Sequence, residues 1–83
     1  MLNVVREGVD FFGNDLPSDA PAETATSEGC SRLCQGNSAC NAWGWNRGDT
    51  PQSLPYRHMC FLKVKAGNAV TNPSVVSGVE WYA

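Results

Sequence analysis

Thr26-Ser27-Glu28-Gly29-Cys30-Ser31-Arg32-Leu33-Cys34-Gln35-Gly36 is the stretch on which the fold turns. Thr26 or Ser27 can cap a helix N-terminus with a side-chain oxygen, and Glu28 places negative charge where the helix dipole favours it. Gly36 is a natural stop. Cys30, Leu33 and Cys34 fall at i, i+3 and i+4, so they share one helical face. The spacing predicts a short helix of about ten residues, too short to persist alone in water. It must be held by its surroundings. Its two cysteines lie one turn apart on the inward stripe, which predicts that each ties the helix to a different piece of sheet.

Cys40 and Cys60 complete the set of four cysteines in 83 residues. A chain this short buries a limited share of its surface, and cross-links are the usual remedy, stable mainly in oxidising compartments. The expected location is therefore secreted or extracellular. Four cysteines allow three pairings. The helix argument prefers Cys34 with Cys40, just past the helix end, which leaves Cys30 for Cys60. By the chain-entropy model the two closed loops contribute about 2–2.5 and about 3.5–4 kcal/mol respectively.

Composition narrows the class further. The chain is 42% hydrophobic and 17% charged, which suits a small globule and not a disordered segment. Its net charge of −2 argues against nucleic acid as a partner, because phosphate binding needs a concentrated positive field. No apolar run approaches the ~20 residues of a membrane span. Met1-Leu2-Asn3-Val4-Val5-Arg6 lacks the pattern of a leader peptide. The expectation is a single domain over residues 1–83, with its core over about 5–80, excerpted from a larger secreted protein.

The rest of the chain reads largely as β-structure. Val4 to Phe12 is a strand broken at Gly8, and Gly13 and Asn14 make a turn. Residues 17–25 read as a loop. Cys40 to Asn46 is a strand rich in aromatics, residues 47–57 a long hairpin connection, and His58 to Val64 the next strand. Alternation along it puts Cys60, Leu62 and Val64 on one side and Met59, Phe61 and Lys63 on the other. Gly67 and Asn72-Pro73 mark residues 66–74 as a loop before a last strand from Val75 to Tyr82. The likeness of Glu7-Gly8-Val9-Asp10-Phe11 to Ser77-Gly78-Val79-Glu80-Trp81 suggests neighbouring terminal strands. One helix among about four antiparallel strands is an α+β arrangement.

The order of these pieces is familiar. Gly8-Val9-Asp10 precedes Gly13-Asn14-Asp15-Leu16. The cysteine helix follows, then Asn37-Ser38-Ala39-Cys40-Asn41-Ala42-Trp43, Cys60-Phe61-Leu62-Lys63 and a closing Val76-Ser77-Gly78-Val79. This resembles the PAN/apple domain family in its compact, two-disulfide version, over about Val5 to Glu80. The resemblance implies a curved antiparallel sheet cradling a single helix, with the disulfides preferred above. It implies an extracellular module that binds carbohydrate or protein and is not an enzyme. The third disulfide of the longer apple version, which joins the ends of the domain, has no counterpart here.

Candidate contacts are aromatic. Trp43 and Trp45 alternate with Ala42 and Gly44, so two indoles share one sheet face. The small pair on the other face would let the helix approach closely. Trp43 is expected in the core, and Trp45 is the candidate platform for the apolar face of a sugar. Tyr56, Arg57 and His58 bring a ring, a guanidinium fork and an imidazole together on the long connection, where binding residues often lie. Trp81 and Tyr82 are further candidates at the chain end, and an exposed edge beside that aromatic last strand would allow self-association. Asp10, Asp15 and Asp49 could suggest a metal or carboxylate pair, but nothing in the sequence fixes their separation, and Asp15 beside Asn14 reads as a turn former. Four paired cysteines leave no thiol for zinc or for nucleophilic catalysis, so no metal, cofactor or catalytic residue is expected. The sequence thus predicts a non-catalytic adhesion module. A self-assembling building block of an extracellular fibre or matrix is the alternative.

Overall fold

A computed structural model describes residues 2–16 and 21–81. It is α+β, with one helix and a five-stranded antiparallel sheet. In chain order the elements are β1 (Leu2–Phe12), β2 (Ala22–Glu23), α1 (Ser27–Gln35), β3 (Ala42–Asn46), β4 (Met59–Lys63) and β5 (Asn68–Trp81). The sheet order is β1-β5-β3-β4-β2. The terminal strands are therefore neighbours, as their sequence likeness suggests.

The helix begins where its chemistry requires. Thr26 is extended at the N-cap, and its hydroxyl accepts from the Gly29 amide at 3.1 Å. Gly36 closes the last turn by donating to the Arg32 and Cys34 carbonyls. The buried residues of α1 are Cys30, Ser31 and Cys34. Leu33, expected on the inward face, is 42% exposed instead. Ser31 takes the inward place because it has a buried partner to bond. One disulfide joins Cys30 in α1 to Cys60 in β4, and the other joins Cys34 to Cys40 just before β3.

The core lies between α1 and one face of the sheet. Leu16, the four cysteines, Trp43 and Val76 form it, with Trp45 and Leu62 packed at its margin. Trp43 and Trp45 therefore face the helix, which corrects the expectation that Ala42 and Gly44 would do so. Alternation separates the two pairs but does not say which side the helix takes. The opposing strand decides it: Trp43 pairs with Gly78, and a Cβ there would stand 2.4 Å from the Trp43 ring. Only a glycine leaves the indole that space. Glu80, fully buried, accepts through Oε1 from Trp43 Nε1 (2.9 Å) and Ser31 Oγ (2.5 Å). One carboxylate oxygen thereby joins α1, β3 and β5.

The terminal ribbon departs furthest from expectation. Residues 68–74, expected as a loop, belong to β5. They pair with the second half of β1 through Val9↔Thr71 to Phe12↔Asn68. Glu7 pairs with Val76, so residues 72–75 are accommodated opposite Gly8 alone, whose φ of +75° suits a glycine. Pro73, which cannot donate to a ladder, sits within this excursion. Two smaller differences concern residues 22–23, which form the short strand β2 along the outer edge of β4, and β3, which starts at Ala42 and not at Cys40.

Candidate functional site

The bulge at Gly8 sets up the opposite face of the sheet. Before it, Val4 and Arg6 line a shallow groove; beyond it, Val9 and Phe11 do. The inserted residue has inverted the alternation, and Asp10 and Phe12 turn the other way. They turn into an open cleft of about 450 Å³.

Four pieces of chain enclose this cleft. Gly44 and Asn46 of β3 and Phe61 and Lys63 of β4 contribute the middle of the sheet. Asp10 and Phe12 of β1, with Asn72, Ser74 and Val75 of the β5 excursion, form one wall. Gly13 and Asp15, on the segment that crosses from β1 to β4, close an end. Thr50, Gln52, Ser53 and Tyr56 of the β3–β4 connection form the second wall.

That connection is built, not slack. The Thr50 and Ser53 side chains bond each other's backbone amides, at 3.0 and 3.2 Å, and their hydroxyls meet at 2.9 Å. This knot starts a 3₁₀ turn at Leu54–Tyr56. Asp49 accepts from Ser74 Oγ at 2.7 Å, which pins one wall to the other. Tyr56 stands at the rim, 53% exposed, across from Phe12, 74% exposed.

The charged groups of the cleft are unequally satisfied. Lys63 is only 4% exposed, and its Nζ donates to Asp15 Oδ1 at 2.7 Å and to the Gly13 carbonyl at 3.1 Å. Asp10 receives no hydrogen bond from any described residue. Burial pushes its carboxyl above the usual range; the nearby Lys63 charge pulls the other way, and Asp15 adds a smaller upward push.

The candidates from the sequence separate on this framework. Trp45 and Tyr56 both border the cleft. The Trp45 indole is already engaged, however, stacked on His58 with centroids 5.3 Å apart and donating to the Thr24 carbonyl at 3.1 Å. Arg57 is exposed and His58 half-buried, and neither borders the cleft. The Trp81 side chain and Tyr82 lie outside the described residues. Asp10 and Asp15, separate in the sequence reading, converge on Lys63. The alternation of β4 already placed Phe61 and Lys63 together, away from Cys60; nothing in the sequence brought Asp10 to them, because that depends on the bulge. Among the described residues no group of three or more His, Cys, Asp or Glu could hold a metal, and no helix is long and apolar enough to cross a membrane.

A disulfide-stapled helix on one face of an antiparallel sheet, with a ligand-sized cleft on the other, defines a small cross-linked α+β module. Its sequence matches the PAN domain family over residues 9–63, more than half the chain, and the chain belongs to that family. PAN domains are in general binding modules for proteins or carbohydrates, non-catalytic and, with their disulfides, typically extracellular. No curated protein matches the chain.

Proposed function

We propose that this chain is a non-catalytic extracellular binding module that takes a carbohydrate in the cleft opposite the helix. The observation that carries this reading is the pairing of exposed rings, Tyr56 and Phe12, with hydrogen-bonding side chains around a space of about 450 Å³. Small-ligand sites fall in this size range, whereas protein partners usually cover a broad surface of about 800 Å² per side. Sugars offer what such a cleft accepts: an apolar ring face to stack on an aromatic and a rim of hydroxyls to bond. Trp45 borders the cleft with its indole stacked on His58, and Arg57 lies outside the lining. Tyr56→Ala should weaken binding on a glycan array and in titration calorimetry by about tenfold, a stacking-sized loss. The thermal midpoint should hardly move, since the ring is exposed. Unchanged affinity in that variant removes the cleft from the binding reaction.

A second reading, assembly with copies of itself, is supported by β1. It lies at the end of the sheet order, with Val5 exposed on it. Sedimentation across a concentration series separates the readings: a monomer at high concentration ends the assembly account.

A further inference from the structure

The floor of the cleft has a feature that general sugar binding does not require. Gly44 has an ordinary φ, so its lack of a side chain is not a backbone need. A methyl placed on it would lie 3.6 Å from Ser77 Oγ, 3.7 Å from Lys63 Cε and 3.8 Å from Asp10 Oδ1. The missing methyl leaves a hollow on which an ammonium stem, a carboxylate and a hydroxyl converge. Two of these groups have unused capacity. An ammonium carries three N–H donors, and Lys63 uses two of them, on Gly13 and Asp15. Asp10 has no hydrogen-bond donor among the described residues, although it is partly buried. The Ser77 hydroxyl, fully buried and without a hydrogen-bond partner among the described residues, makes the lining behind them polar.

We infer that this hollow is a subsite for two neighbouring hydroxyls of an uncharged sugar, one donating to the Asp10 carboxylate and the other accepting from the Lys63 ammonium. This rests on the carbohydrate reading of the cleft and adds the class of sugar. A hydroxyl is both donor and acceptor, so a vicinal pair meets a carboxylate and an ammonium at once. Acidic sugars are disfavoured. Asp10 and Asp15 border the cleft, Asp49 is bonded to its wall at Ser74, and the facing cation, Lys63, is already paired with Asp15. An added carboxylate would meet net negative charge.

Acidification should release the sugar. The charged groups facing Asp10 are Lys63 from β4 and Asp15 from the segment after β1; from β3 and β5 the neutral Gly44 and Ser77 border the same hollow. Protonation of Asp10 removes the charged acceptor. Burial moves that protonation above the ordinary carboxylate range, so the loss begins at a milder pH than for an exposed aspartate.

The test uses methyl glycosides of neutral hexoses and their uronic acid counterparts, titrated into the wild-type protein and into Asp10→Asn, Gly44→Ala and Tyr56→Ala. The neutral glycosides should bind, and the uronic acids should bind at least about tenfold more weakly. Asp10→Asn should cost about tenfold or more, the scale of a charge-assisted hydrogen bond, and should flatten the acid limb of the pH profile. Gly44→Ala should cost as much by filling the hollow, while circular dichroism stays native, since its methyl meets only ordinary contact distances. If Tyr56→Ala abolishes binding while Asp10→Asn and Gly44→Ala leave it intact, the cleft reading stands and the subsite is wrong. Uronic acids binding as tightly as the neutral sugars also overturns it. If no glycoside binds, or all three variants bind as the wild type does, both readings fall.

Discussion

The two faces of one sheet solve opposite problems. On the helix side, Trp43 and the four cysteines exclude water completely, and the buried Glu80 has its Oε1 bonded to two side chains. On the cleft side, large rings stand in solvent, Asp10 receives no hydrogen bond from the described residues, and Gly44 leaves a hollow unfilled. A single strand serves both: β3 turns Trp43 inward and Gly44 outward. The difference teaches that a domain too small to cover both faces of its sheet can concentrate its stability on one of them. The other surface then carries groups that destabilise the fold by themselves and are useful only when a ligand completes them.

That contrast can be broken from the helix side with the largest effects. Trp43→Ala should destabilise by about 4 kcal/mol in urea unfolding, from lost burial and the cavity left beside Gly78. Replacing Cys30 and Cys60 together by Ala should cost about 3.5 kcal/mol, and the equivalent change at Cys34 and Cys40 about 2 kcal/mol, following the lengths of the closed loops. Thermal unfolding of the two pairs, compared side by side, checks the order. If the shorter loop matters more, chain entropy is not what these bridges supply.

From the cleft side the expected stability effect is small and of opposite sign. Asp10 has a raised pKa in the folded chain, so between its ordinary value of 3.8 and that raised value the folded state binds more protons than the unfolded one. Stability contributed by its neutral form is present at low pH and is lost as pH rises through this window. Asp10→Asn, which cannot ionise, should therefore be slightly more stable than the wild type at neutral pH. The advantage should shrink on acidification, as read by thermal melts at several pH values. A variant less stable at neutral pH would mean that Asp10 already has a stabilising partner, and would blur the contrast between the faces.

Much of the helix side was legible in the sequence because it depends on local rules. Thr26 and Gly36 delimit α1 through capping chemistry, and the alternation of Cys60, Phe61, Leu62 and Lys63 assigns the two faces of β4. What was not legible depends on partners distant in the chain. Leu33 fits the helical stripe, yet Ser31 is drawn inward by Glu80, far off in β5. Residues 66–74 carry turn signals in Gly67 and Asn72-Pro73. Pairing with β1 overrides them by absorbing the proline into a bulge. The cleft was missed for the same reason. Asp10 reaches Lys63 only because Gly8 shifts the alternation of β1, and a register shift is a property of two strands, not of one.

The excursion of β5 opposite Gly8 has a last consequence. Residues 72–75 lie between two correctly paired stretches of ladder, at Val76 and at Thr71, while contributing a wall to the cleft. Lengthening or shortening this segment would reshape the aperture without displacing the Val76 contact with the core. Among related modules, indels concentrated at this point would retune the range of ligands admitted while the cross-linked layer behind it stayed the same.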